Sequence, residues 1–169
     1  MGSGKSAVGR SLARLLARPF VDSDREIEER TGVDIPFIFD KEGEAGFRDR
    51  EEAVLEELTA SPGIVLATGG GAVLREANRR VLASRGFVVY LETGLEQQLE
   101  RTRMSRNRPL LDTPDPAARL AELMEARDVL YREVARMTIR TDGRRVADVA
   151  REIRDRLVSP STEESRCTR

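Results

Sequence analysis

Apolar positions along this chain follow two alternating rhythms. Short, nearly continuous apolar runs occur at residues 19–22 (PFVD), 64–68 (IVLAT), 87–92 (FVVYLE) and 137–141 (MTIRT), and these read as buried strands. Between them the apolar residues recur at helical spacing. In SAVGRSLARLLA, for example, Val8, Leu12, Leu15 and Leu16 share one face. The same spacing predicts helices over about residues 44–60, 75–84, 95–104, 116–135 and 146–158. Ser23 and Glu26 fit a capping box that starts another helix directly after the first strand. Strand alternating with helix predicts βαβ units, and so an α/β fold with a parallel sheet flanked by helical layers. The sequence carries no internal repeat and no compositional break, so one domain is expected over residues 1–158. The polar, proline-punctuated stretch SRNRPLLDTPDP gives a surface loop, a candidate lid, at about 104–116, and residues 159–169 read as a disordered polar tail.

Composition narrows the chemistry more than the fold. The chain has 169 residues, with 29 basic residues against 30 acidic ones, so its net charge points neither to nucleic acid nor to an anionic membrane. No apolar run reaches the roughly 18 residues of a membrane span, and no secretory signal is evident, so a cytoplasmic protein without a membrane partner is expected. Low net charge and the absence of an obvious apolar patch make a monomer the simplest expectation. The single cysteine, Cys167, excludes an intrachain disulfide and a zinc cluster, and histidine is absent. Any chemistry must therefore run on carboxylates, hydroxyls, Lys and Arg. Lys5 and Lys41 are the only lysines.

Lys5 lies in GSGKS, the second half of the phosphate-loop pattern GxxxxGK[ST]; the first glycine of that pattern would stand two residues before Met1. In a phosphate loop, backbone N–H groups of the glycines converge on phosphate oxygens, the following helix adds its dipole, Lys5 adds charge and Ser6 ligates Mg²⁺. The alternative is a flexible glycine-rich terminus. Asp22 and Asp24 alternate at the carboxyl end of a strand, where open α/β sheets bind ligands; one could face Mg²⁺ through water while the other meets a substrate hydroxyl. A first-turn carboxylate favouring the helix dipole is the plainer reading of Asp24. Three consecutive glycines in TGGGA, Gly69 to Gly71, exceed what one turn needs and indicate close approach of a ligand to the backbone. Arg48 and Arg127 sit in predicted helices, where most arginines are solvated. Arg108, on the candidate lid, is placed as a mobile cation for a phosphoryl group.

Taken in order, GSGKS, the D-x-D of VDSD, the FR within an acidic helix, GGGAV, RPLL, and the AR three residues before LY resemble the shikimate kinase family from Gly2 to about Leu157. That resemblance implies a three-layer phosphate-loop kinase fold. It also implies transfer of the γ-phosphoryl group of ATP to the 3-hydroxyl of shikimate, on the way to chorismate and the aromatic amino acids. Gly2, Ser3, Gly4, Lys5, Ser6 and Ala7 would then hold the phosphates, with Ser6 on Mg²⁺ and Asp22 supporting the metal through water. Asp24 would meet the accepting hydroxyl, while Arg48, Arg127 and the turn Gly69, Gly70 and Gly71 would hold shikimate. Arg108 would close on the ATP phosphates, and Arg101 and Arg144 fall where the family contacts adenine. Lys5, Asp24 and Arg108 are the expected catalytic set.

Two departures accompany the resemblance. Ala7 replaces a common second hydroxyl, and the strand that feeds the phosphate loop in this family, mid-sheet between those matched by IVLAT and FVVYLE, has no counterpart in the sequence. With the gap empty, the flanking strands would stand about 9 to 10 Å apart and could not pair. About ten further residues ahead of Met1, carrying an apolar strand and the first loop glycine, are the expected remedy. The competing readings are another small-metabolite or nucleoside monophosphate kinase, a non-catalytic binding module derived from a kinase, and an inactive truncated product.

Overall fold

The computed structural model describes residues 2–103 and 113–159. Arg108, most of the candidate lid and residues 160–169 of the tail lie outside the described residues.

In chain order the elements are α1 (Lys5–Leu16), β1 (Phe20–Asp22), α2 (Ser23–Thr31), α3 (Ile35–Ala60), β2 (Val65–Ala67), a 3-10 turn (Ala72–Leu74), α4 (Glu76–Arg85), β3 (Val89–Glu92), α5 (Leu95–Arg103), α6 (Pro116–Val134), β4 (Met137–Arg140) and α7 (Val146–Val158). The four predicted strands and the helical pattern between them are all present, each strand a little shorter than its apolar run. Gly4 takes a left-handed conformation, φ 82°, immediately before α1. A side chain there would be strained, so glycine turns the loop into the helix.

All strand pairing is parallel. In β1 and β2, Phe20 stands opposite Val65 and Asp22 opposite Ala67; in β3 and β4, Val89 stands opposite Met137 and Glu92 opposite Arg140. The two pairs form separate sheets, and β2 is not hydrogen-bonded to β3. An apolar groove of about 390 Å³ runs between them, lined among others by Leu66 of β2, Tyr90 and Leu91 of β3, Leu12 and Leu16 of α1 and Val134 of α6. Ser3, Lys5, Gly69 and Gly70 also line it, so the groove is continuous with the phosphate loop and the glycine turn. One buried cluster, with Val8, Leu12, Leu91, Ile139, Val149 and Ile153, joins α1 and α7 to the second sheet. Another, with Ile27, Ile38, Phe47 and Val54, joins α2 to α3. Among the described residues no helix is long and apolar enough to cross a membrane.

Two local expectations are corrected. Asp22, not Ser23, is the N-cap of α2: its backbone is extended, and its carboxylate accepts from the Asp24 N–H at 3.2 Å. Ser23 is already helical and fully buried, and its hydroxyl accepts from the Gly69 N–H at 3.2 Å. The helix expected from residue 44 starts nine residues earlier, at Ile35. Asp34 caps it, Pro36 fits in its first turn, and Gly43, φ 70°, breaks it with a kink.

Candidate active site

Parallel strands that end side by side bring their carboxyl-terminal loops together. β1 ends at Asp22 and β2 at Ala67, in register with each other, so the Asp22–Asp24 segment and the Gly69–Gly71 turn become neighbours. Behind them Lys5 opens α1.

Ser6 donates its hydroxyl to Asp22 Oδ2 at 2.5 Å, while Asp22 Oδ1 caps α2. Asp22 therefore ties the first turn of α1 to the first turn of α2. A hydroxyl and a carboxylate, both hard oxygen donors, face each other directly after the phosphate loop. This donor set suits Mg²⁺, which takes one or two protein oxygens and completes its shell with water and phosphate. Among the described residues no cluster of three or more acidic, His or Cys side chains could cage a metal alone.

Asp24 is the electrostatic centre of the site. Its pKa is pushed up to about 6, first by burial and then by the negative charges of Glu51 and Asp22; Lys5 and Arg48 act in the opposite sense. The helix dipole, which favours a charged carboxylate here, is outweighed. Asp24 Oδ1 is buried without a hydrogen-bond partner, as is Glu51 Oε1. Both oxygens converge on Gly69: a Cβ built there would lie 2.5 Å from Asp24 Oδ1 and 2.7 Å from Glu51 Oε1. Glycine at 69 thus leaves room for two carboxylates that have acceptor capacity to spare. Buried acceptors without partners are rare in proteins, and in a cleft they mark a place for a ligand's donors.

Arg48 and Arg127 are far from the solvated residues that helical arginines usually are. They are 7% and 4% exposed. Arg48 Nη1 donates to Glu51 at 2.7 Å and its Nη2 to Glu44 at 2.9 Å. Burial works to lower the Arg48 pKa, and its carboxylate partners outweigh burial, so it ends above the ordinary value. For Glu51 burial dominates over Arg48, and its pKa is raised. A Cβ at Gly71 would collide with the Arg48 guanidinium, so the third glycine is the surface on which Arg48 lies.

The remaining candidates are placed as follows. Arg101 Nη1 donates to the Gly2 carbonyl at 3.1 Å, so it reaches back across the phosphate loop from α5. Arg144 is engaged elsewhere, in an ion pair with Glu152 at 2.6 Å and a bond to the Arg140 carbonyl. Gly2, Ser3 and Gly4 form the turn ahead of α1, and Ala7 is exposed. Glu51 and Tyr131, which sequence reasoning missed, also belong to the site. Their signal was spacing: Glu51 stands three residues after Arg48, and Tyr131 four after Arg127, so each shares a helical face with an arginine.

A family model described as shikimate kinase matches residues 1–158. A shikimate kinase of Thioalkalivibrio sulfidiphilus is 60% identical over 153 residues, covering 90% of this chain and 80% of that protein. One from Pseudomonas syringae is 59% identical over 157 residues, covering 93% of this chain and 91% of its own length. Among solved structures, the shikimate kinase from Acinetobacter baumannii in complex with shikimate superposes with a TM-score of 0.94 at 52% identity, over 96% of this chain and 91% of that one. The shikimate kinase from Aquifex aeolicus gives a TM-score of 0.80 at 38% identity, over 93% and 91% of the two chains.

Proposed function

The chain belongs to the shikimate kinase family, and on that premise we propose that it moves the γ-phosphoryl group of ATP to the 3-hydroxyl of shikimate through the residues described above. The observation that carries the reading is the buried, partnerless Oδ1 of Asp24, a carboxylate that feels the positive charges of both Lys5 and Arg48. A hydroxyl donating to Asp24 Oδ1 is oriented for attack on phosphorus. The bond from the γ-phosphorus to its bridging oxygen breaks as the bond to the hydroxyl oxygen forms, and the hydroxyl proton passes to Asp24. Phosphoryl transfer through a loose transition state depends on alignment and charge neutralisation more than on a proton relay, so the absence of histidine is no obstacle.

Lys5 and the N–H groups of the loop hold the phosphates, and Arg101 lies against that loop. Arg108 is assigned to the same phosphates by its place in RPLL alone. Mg²⁺, when bound, would neutralise charge on the β- and γ-phosphates; Ser6 would ligate it, and Asp22 would support it through water. Arg144 is kept as an adenine contact by motif position. Arg48 and Arg127, with N–H groups of the glycine turn, take the carboxylate and remaining hydroxyls of shikimate; a guanidinium fork suits a carboxylate.

A coupled assay with shikimate and MgATP tests the reaction. Turnover dependent on both substrates is the expected result, and ATP hydrolysis indifferent to shikimate would overturn the reading. Arg48→Ala and Arg127→Ala should each raise the KM for shikimate about ten- to a hundredfold, the equivalent of one charged hydrogen bond, and leave the KM for ATP nearly unchanged. Equal losses for both substrates would make these arginines structural.

A further inference from the structure

We propose that Tyr131 is a positioning residue: its hydroxyl fixes the Gly69–Gly71 turn to α6, one helical turn from Arg127, so that the turn and Arg127 meet shikimate in one geometry. The proposal rests on the substrate assignment above for its kinetic consequence, and on geometry alone for the rest.

Tyr131 lies one helical turn after Arg127 on α6 and points the same way. Its hydroxyl donates to the Gly70 carbonyl at 2.5 Å. Arg127 stands close enough for its positive charge to act on the same hydroxyl. A phenol has one proton to give and a carbonyl can only accept, so the direction of this bond is fixed: Tyr131 donates and Gly70 receives. Burial raises the Tyr131 pKa, which keeps that proton in place.

The grip on Gly70 matters because the turn has little else to define it. Ser23 holds the Gly69 N–H, the Ala72 N–H reaches the Gly69 carbonyl at 3.3 Å, and the Leu74 N–H reaches the Gly71 carbonyl at 2.9 Å. These bonds secure the ends of the turn. Between them lies the peptide joining Gly70 to Gly71, flanked by two residues with the widest backbone freedom. In a trans peptide the C=O and the next N–H point in opposite directions. Pinning the Gly70 carbonyl to Tyr131 therefore also sets the Gly71 N–H, directing it away from α6, with the Arg48 guanidinium packed against the same residue.

The ring itself is held independently of the hydroxyl. Tyr131 stacks on Tyr90, with ring centroids 5.0 Å apart and planes 27° apart, and Tyr90 donates to Asp128 at 2.9 Å. Asp128 in turn pairs with Arg132 at 2.7 Å. A phenylalanine at 131 would keep the stack and the packing and lose only the bond to Gly70.

Tyr131→Phe is the test, read in two ways. In the ligand-free protein, amide hydrogen exchange at Gly70 and Gly71 should speed up about tenfold while exchange in α6 is unchanged. In steady-state kinetics the KM for shikimate should rise about tenfold, with the KM for ATP within twofold of wild type and a Tm lowered by no more than about 4 °C. Unchanged exchange at the glycines would overturn the proposal, whatever the substrate is. A variant that loses affinity for both substrates alike, with a large fall in Tm, would also overturn it, since that is the behaviour of a core residue. If the wild-type chain does not turn over shikimate, the substrate assignment falls, and the exchange measurement still decides the role of Tyr131.

Discussion

Asp24→Asn should leave a folded protein that turns over a hundred- to ten-thousandfold more slowly than wild type, the usual range for removing a positioned general base. The amide keeps the size and one acceptor oxygen of the carboxylate but cannot take the hydroxyl proton. Stability should move the other way. Asp24 has its pKa pushed from 3.8 to about 6 in the folded chain, so between those values the folded state binds more protons than the unfolded state. Stability from this group is therefore fully present below pH 4, falls as pH rises to about 6, and stays low beyond. An uncharged residue escapes that loss, which is on the order of 2 to 3 kcal/mol by the size of the shift. The variant should melt at or above the wild-type temperature at pH 7 and show little difference at pH 4. For the wild type, kcat/KM should climb with pH through about 6 as Asp24 gives up its proton, because kcat/KM titrates groups of the free enzyme. Wild-type turnover in the Asn variant would reduce Asp24 to a first-turn carboxylate of α2.

The asymmetry between activity and stability has a structural source. Asp24, Asp22 and Glu51 are acidic groups gathered in one place, and only part of their mutual repulsion is met by Lys5 and Arg48. Partnerless oxygens on Asp24 and Glu51 are a cost in the free protein, which a substrate's hydroxyl and water can offset. Functional sites accept such costs where the rest of the fold holds them in place.

Much of this was legible in the sequence because the signals were local. A buried parallel strand is a short apolar run, and all four stand where such runs occur. GSGKS, VDSD and TGGGA carry their chemistry in their own backbone or in adjacent side chains. What was not legible needed the third dimension. In a chain with 27 arginines, Arg48 and Arg127 stood out only through the FR and AR motifs of the family resemblance, and their burial is what separates them physically from the rest. The Asp22–Ser23 cap was off by one residue because both side chains can cap a helix, and Gly69 decided between them by claiming the Ser23 hydroxyl. Residues 35–42 lay outside the expected helix; Pro36 stands among them and Gly43 directly after them. Their positions in the first turn and at a kink make them compatible with one long helix. Tyr131 touches Gly70 across 61 positions of sequence, a contact no local pattern announces.

Extending the chain ahead of Met1 by about ten residues, an apolar strand-forming run followed by the first loop glycine, should raise both its melting temperature and its turnover. The groove between β2 and β3 has strand edges on two sides, helical apolar side chains from α1 and α6, and the phosphate loop at one end. A strand laid in it can form ladder bonds with both sheets and join them into one, since neighbouring strands need about 4.8 Å each. It would bury four or five apolar side chains, worth roughly 1.5 to 3 kcal/mol each before the entropy of ordering the segment is subtracted. For a chain of this size about 1 kcal/mol moves Tm by 2 to 4 °C, so an increase of about 10 °C or more is expected. Turnover should follow, because the added strand runs through the loop glycine and would hold Gly4 and Lys5 against the sheet. A glycine–serine segment of equal length is the control, and it should change neither quantity. If the apolar extension also changes neither, the groove is not a strand site and the two sheets are stable apart. If it raises Tm and leaves turnover as it was, the phosphate loop is already in its working geometry without it.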